Sequence, residues 1–189
     1  MPNFFSLPPC PRRRLLLKGL GALPLGLGYT AARARTMGDC QLSFRHTHTD
    51  ERLQVVYRSG GQYQPAALAE VNHLLRDFRT GQVSPIDPAL LDILHALGGA
   101  CGGQTFEIIS GYRSPATNGM LKKTGGGGVA THSLHMEGRA IDVRMPGVDT
   151  ARLRDAALAL GLGGVGYYPA ENFLHVDTGR VRAWGPRAA

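Results

Sequence analysis

Cysteine is scarce in this chain. Of its three cysteines, Cys10 stands in a basic and apolar N-terminal stretch, which leaves Cys40 and Cys101. A disulfide framework is therefore excluded, and the absence of any Cys-x-x-Cys argues against a thiolate zinc site. One Cys40–Cys101 bridge is the most the composition permits, and only outside a reducing compartment. No uninterrupted apolar run reaches the roughly 20 residues of a membrane span. There is no Gly-x-Ser-x-Gly and no suitable Ser-x-x-Lys, so the common serine-hydrolase signatures are missing. The glycines at 125–128 are not followed by Lys-Ser/Thr, which excludes a phosphate loop there.

Acidic residues are also missing from positions 1–34, whereas Arg12, Arg13, Arg14, Lys18 and Arg33 all lie there. The net charge of +7 is mostly theirs. The sixteen remaining basic residues face fourteen acidic ones, a balance near +2 that gives no footing for nucleic-acid binding. A basic region, a short apolar stretch from Gly19 to Thr30 and an Ala32-Arg33-Ala34 end make the three-part pattern of an export signal. Arg13-Arg14-x-Leu-Leu-Lys18 resembles a twin-arginine motif, which makes the twin-arginine export machinery the expected partner. Cleavage after Ala34, rather than retention as an uncleaved anchor, would leave 35–189 as one domain outside the cytoplasm, with no stable transmembrane span.

The domain reads as α+β. "LSFRHTHTDERLQVVYRSGGQY" has two short strands and a Ser-Gly-Gly turn. His46 and His48 share a strand face if the segment is extended, and a polar face is preferred to a metal site for them. Leu68, Val71, Leu74, Leu75 and Phe78 recur at helical spacing after Pro65. A second helix starts at Asp87-Pro88 and is expected to stop at Gly98-Gly99. "TFEIISGYRS" is a strand running into a loop that includes "SPATN", and "KKTGGGGVAT" is a flexible loop. "GRAIDVRM" is a strand. "DTARLRDAALAL" is a helix stopped by Gly161. "GVGYYPAENFLHVDTGRVRAW" is two strands around a proline turn, with Arg180 and Arg182 on an exposed face. Helices first and paired strands later imply an antiparallel sheet with the helices mainly on one side.

Two strands carry chemistry. In "NFLHVDTG", Phe173, His175 and Asp177 share one face, and Leu174 and Val176 share the other. In "HSLHMEGRAIDVR", Ile141 and Val143 face one way and Asp142 and Arg144 the other. His135 lies an odd number of residues from Asp142, so a straight strand would separate them. A turn at Glu137-Gly138 re-aims His135, because glycine reaches positive φ without strain. Two imidazoles and a carboxylate are three ligands of the kind catalytic zinc takes, with a fourth position left for water of pKa near ~7. By spacing alone, unrelated polar residues are the preferred reading.

"SLHMEGRAID" resembles the Ser-x-His-x-x-Gly-x-Ala-x-Asp signature of the M15-type zinc D-Ala-D-Ala peptidases. "ISGYRSPATN", "GGVGYYP" and "FLHVDTGRVRAW" resemble the subfamily once called domain of unknown function 882, exported peptidoglycan endopeptidases. The likeness runs from about residue 42 to Trp184. It implies a hedgehog/D-Ala-D-Ala peptidase-like fold with the zinc site on the sheet face, and peptidoglycan stem peptides as substrate in the periplasm. It implies His135, Asp142 and His175 as Zn2+ ligands, and Ser133 as a hydrogen-bonding residue of the site. Arg113 would hold a substrate carboxylate or the oxyanion. Tyr112 beside it, Asn118 and His132 are candidate groove residues. Better-known members carry Glu or Asp three residues before the last zinc histidine, where this chain has Asn172. Asp177 is therefore favoured as general base or as a residue orienting a ligand, with Glu171 the alternative.

The implied activity is zinc-dependent hydrolysis of peptidoglycan peptide crosslinks. A zinc-holding wall-binding module and a D,D-carboxypeptidase are the alternatives, and 4-3 and 3-3 crosslinks both stay open. The signal reading predicts that mass spectrometry of the exported chain finds Arg35 at its N-terminus. Recovery of Met1 or Pro2 would overturn it.

Overall fold

A computed structural model describes residues 38–124 and 130–186. The expected export signal at 1–34 and the glycine-rich stretch 125–128 lie outside these residues. The chain runs β1 (Cys40–His46), β2 (Arg52–Ser59), β3 (Gln62–Tyr63), α1 (Pro65–Leu74), α2 (Pro88–Cys101), β4 (Thr105–Ser110) and α3 (Pro115–Thr124). A 3-10 turn (Leu134–Glu137) follows, then β5 (Ala140–Arg144), α4 (Thr150–Leu160), β6 (Gly164–Tyr168), β7 (Phe173–Asp177) and β8 (Arg182–Trp184). No helix among the described residues is long and apolar enough to cross a membrane.

The strands form one sheet in the order β3-β2-β1-β4-β5-β7-β6-β8. The α+β class holds, but two details differ from the sequence reading. Strands and helices are interleaved, and the sheet is mixed. β1–β4 and β6–β8 pair in parallel, and the other neighbours are antiparallel. A parallel neighbour needs a crossover, and α1 and α2 lie in the connection from β1 to β4. Val71, Leu74, Leu90, Leu94, Leu97, Leu153 and Ala157 from α1, α2 and α4 share one core with Leu42, Phe44, Phe106, Ile108, Ile141, Val143, Leu174 and Val176 of the sheet. Strand alternation then assigns Asp142, His175 and Asp177 to the face opposite the helices.

Helix ends follow local chemistry. Asp87 and Asp149 cap α2 and α4, accepting from Ala89 N at 3.0 Å and Ala151 N at 2.7 Å. Helix α2 continues through Gly98 and Gly99 to Cys101, and the left-handed Gly102 (φ 83°) ends it instead. A side chain at Gly98 would meet Gly103 O at 2.3 Å, so that glycine serves packing. Helix α1 stops at Leu74, which leaves Phe78 outside it. "SPATN" is not a loop but the start of α3. Ser114 Oγ accepts from Thr117 N at 3.2 Å and Pro115 occupies the first turn.

Cys40 and Cys101 are both buried free thiols, so the permitted bridge is not formed. His46 and His48 do not share a strand face. His46 ends β1, fully buried, with its ring edge-on to Phe78, whereas the exposed His48 stacks on Phe78 at 4.2 Å from the turn that follows. Burial, with the charge of His48, lowers the pKa of His46 to about 4.

The loop between β4 and α3 is held by Asp77, a residue almost wholly withdrawn from solvent. Its carboxylate accepts from Ser114 N at 2.9 Å and Arg79 N at 3.0 Å. Burial opposes that charge, but hydrogen bonds from Ser114 and the backbone outweigh it and hold the pKa at about 2. A carboxyl depressed in the folded state contributes fully above its unfolded value near ~3.9. That contribution disappears as pH falls through about 2. Asp77→Ala is expected to lose about 1–3 kcal/mol at pH 7, because it strands buried amides, and the loss should shrink below pH 3. Urea midpoints at the two pH values check this, and equal losses at both would refute it.

Candidate metal centre

The register of the sheet assembles the centre. Ser110 pairs with Asp142, Asp142 with His175, His175 with Gly166, and Gly166 with Trp184. These five residues form one cross-strand row over β4, β5, β7, β6 and β8. His135 enters the row from outside the sheet. The 3-10 turn carries it, and Gly138 ends that turn in the left-handed conformation (φ 67°). The glycine also approaches the chain ahead of α2, where a side chain would meet Pro85 O at 2.0 Å. Gly138 O accepts from Asp87 N at 2.9 Å.

His135 Nδ1 donates to Gly111 O at 2.7 Å. That bond leaves Nε2 unprotonated and turned to the centre in the neutral ring. His135 Nε2 lies 3.2 Å from His175 Nδ1 and 3.3 Å from Asp142 Oδ1, and His175 Nδ1 is 2.9 Å from the same oxygen. One ligand atom from each of His135, Asp142 and His175 falls within 4.8 Å of the other two, and all three residues are buried or nearly so. This donor set fits a divalent cation, because two ring nitrogens and a carboxylate converge where no other cation lies between them.

The electrostatics suit a cation at His135 and Asp142, whereas the metal-free site favours protonation of His175. Burial lowers the His135 pKa and favours the neutral ring that a ligand needs. Burial also opposes the charge of Asp142, but His135, His175 and Arg113 outweigh it and hold the carboxyl well below its ordinary range. Burial opposes charge on His175 too, yet its bonds to Asp142 and Asp177 prevail and raise its pKa. Arg113 Nη2 donates to Asp142 Oδ2, and its Nε donates to Ser110 Oγ at 2.8 Å. Arg113 Nη1 makes no hydrogen bond among the described residues.

A cleft of about 630 Å³ opens over the centre, lined by Arg113, His132, Ser133, Glu171, Phe173 and Trp184 among others. The exposed His132 stands on its rim, and the Ser133 hydroxyl caps no amide of the 3-10 turn. Tyr112 and Asn118 do not reach the cleft. Tyr112 belongs to the hydrophobic core, and the buried Asn118 donates from α3 to Ala130 O at 3.2 Å. Asp177 is fully buried and does not line the cleft. Its Oδ2 accepts from His175 Nε2 at 3.0 Å, and Arg182 grips both of its oxygens at 2.9 and 2.7 Å. Asp177 therefore sits behind the ring of His175, whereas the exposed Glu171 lines the cleft. Asn172 takes a positive φ of 54° and its Oδ1 accepts from the Thr150 hydroxyl.

The sequence reading weighed Tyr168 for the cleft but preferred packing on the sheet, missed Trp184 and misplaced Arg182. Trp184 lies 5.1 Å from His175 and donates to Tyr168 Oη at 3.0 Å; Tyr168 stacks on Phe173 at 4.6 Å. A side chain at Gly166 would meet the Trp184 ring at 2.6 Å. The Gly-x-Gly in "GVGYY" was the available signal, since glycine within a strand marks close approach.

This geometry, a sheet-borne centre of two histidines and an aspartate under an open cleft, accompanies a match to a peptidase family. The chain belongs to an M15-type peptidase family, whose model is described as Peptidoglycan L,D-endopeptidase MepK and matches residues 34–184. Peptidoglycan L,D-endopeptidase MepK of Escherichia coli (strain K12) is 40% identical over 176 residues, covering 92% of this chain and 96% of that protein. Probable peptidoglycan L,D-endopeptidase MepK of Haemophilus influenzae is 39% identical over 171 residues, 87% of this chain and 91% of that one. No solved structure matches the chain.

Gly138→Ala forces a β-carbon into Pro85 O and a left-handed backbone at once. It is expected to cost roughly 2–4 kcal/mol and to displace His135. A denaturant midpoint and a zinc-binding titration check it. Wild-type values in both would show that the turn has another source of stability.

Proposed function

We propose that this chain is a zinc-dependent peptidoglycan L,D-endopeptidase that hydrolyses peptide crosslinks of the cell wall after export to the periplasm. The observation that carries the reading is the convergence of His135 Nε2, Asp142 Oδ1 and His175 Nδ1 on one point beneath a cleft. The endopeptidase class rests on the family and on relatives matched over nearly their whole length. The name those relatives carry favours an L,D bond over the terminal trimming of a D,D-carboxypeptidase.

His135, Asp142 and His175 would hold the ion. Zinc, when bound, supplies a Lewis acid and lowers the pKa of a coordinated water. The remaining work falls to protein groups. Glu171 is the candidate to take a proton from the attacking water, since it is an exposed acid among the residues that line the cleft. Asp177 is a poor candidate for that role, because Arg182 and His175 already engage its oxygens. It instead accepts the Nε2–H of His175 and so keeps Nδ1 free to ligate. Arg113 orients Asp142 through Nη2 and leaves Nη1 for a substrate carboxylate or the oxyanion. Phe173, Tyr168 and Trp184 line one side of the site, with the Trp184 ring beside His175.

The wall-binding alternative drew its warrant from the missing acid at 172. That position is bonded to Thr150, and the neighbouring Glu171 offers the cleft a carboxylate, so the warrant weakens. Purified 35–189 is expected to cleave crosslinked muropeptides, to lose cleavage with a chelator and to regain it with zinc. Glu171→Gln should lower kcat by about 10² or more with zinc content unchanged. Full turnover in that variant would remove Glu171 as base. Muropeptide binding without cleavage, at full zinc occupancy of the wild type, would instead establish the binding module.

A further inference from the structure

A second cross-strand row runs beside the first. Ala140 pairs with Asp177, Asp177 with Gly164, and Gly164 with Arg182. Arg182 and Asp177 are thus separated by the whole width of β6, yet the guanidinium spans it. Nη1 donates to Asp177 Oδ1 at 2.9 Å and Nη2 to Oδ2 at 2.7 Å. The crossing passes over Gly164. A β-carbon there would lie 2.2 Å from Arg182 Nη1 and 2.5 Å from Asp177 Oδ2. Two further donors complete the cradle, Gly179 N at 2.8 Å and Gly164 N at 3.2 Å, both to Oδ1. Arg182 also lies against Trp184, with its guanidinium carbon 4.8 Å from the ring centroid.

We propose that Arg182, admitted by the gap at Gly164, is a positioning residue that sets the metal-binding tautomer of His175 through Asp177. The inference rests on the metal reading of His135, Asp142 and His175. A carboxylate orients the Nε2–H of a ligating imidazole only as firmly as it is itself held in place. Asp177 is fully buried. Arg182 holds it, because its planar fork matches the carboxylate in two parallel bonds. A lysine supplies the charge but not the fork. The arrangement gives "GVGYY" and "GRVRAW" a shared purpose. Gly164 opens the path, and β8 runs parallel beside β6 to bring Arg182 to its end.

The experiment measures zinc affinity by competition with a chelator, in the full mature chain and without substrate. It also follows the Nε2–H proton of His175 by NMR in the zinc-loaded protein. Arg182→Gln is expected to weaken zinc binding about 10–100-fold and to expose that proton to exchange with water. Gly164→Ala, which keeps Arg182 but fills the gap, is expected to do the same. Arg182→Lys should lose at least about tenfold, and it carries the test if Arg182→Gln does not fold. Arg180→Gln, an exposed neighbour, should stay within twofold of wild type. Wild-type zinc affinity and a protected Nε2–H in a folded Arg182→Gln or Arg182→Lys protein would overturn the inference. Wild-type protein that binds no zinc would sink the metal reading itself, and this inference with it.

Discussion

The antiparallel register between β5 and β7 is the constraint on which the centre depends. It sets Asp142 opposite His175 and Ala140 opposite Asp177. The polar residues do not impose that register. Ile141, Val143, Leu174 and Val176 on the other face are at most 1% exposed, and they impose it through burial against α2 and α4. Burying each such side chain stabilises by about 1.5–3 kcal/mol. A slip of β7 by one residue would turn Leu174 and Val176 to the other face and drive His175 and Asp177 into the core. No ligand pair could offset that, so the hydrophobic layer dictates the geometry of the chemical layer.

The chemical face then has to be electrostatically viable by itself. Arg113, Asp142, His175, Asp177 and Arg182 follow one another at hydrogen-bonding contact, alternating in charge when His175 is protonated. Isolated, either buried carboxylate would be costly. In series each anion has a cation on both sides, so both stay ionised with little help from water. Removing one member leaves a neighbour buried and unpaired, which is why such chains are fragile to single substitutions though they add little net stability when intact. His135 stands outside the series. It is buried, held neutral, and bonded through Nδ1 to a backbone carbonyl rather than to a charge.

Much of this was legible in the sequence where the signal is local. Period-two alternation separated His175 and Asp177 from Leu174 and Val176, and Asp142 from Ile141 and Val143. Gly138 announced the turn that His135 requires, although its close approach to Pro85 depends on a segment fifty residues away and left no mark. The caps at Asp87 and Asp149 obey local rules, whereas Ser114-Pro115, an equally good helix start, lies in a segment read as a loop. Arg182 and Trp184 were beyond local reading. Alternation with Val181 suggests an exposed face, and only the parallel docking of β8 on β6 turns Arg182 toward Asp177. The same non-local pairing explains the mixed sheet, since the segment looks like any paired strand until its neighbour is known.

Asn172 illustrates how the two layers of the fold meet. The turn between β6 and β7 closes with Asn172 N donating to Pro169 O, and it places Asn172 at a φ of 54°. Asparagine tolerates that left-handed conformation better than most residues. Its side chain reaches Thr150 at the first turn of α4. A glutamate at 172 would lose this bond and sit less well in the left-handed turn. Glu171, one residue earlier in the same turn, lines the cleft. A helix that packs on the far side of the sheet thus helps to hold a turn that lines the cleft, through a single hydrogen bond at the rim of that turn.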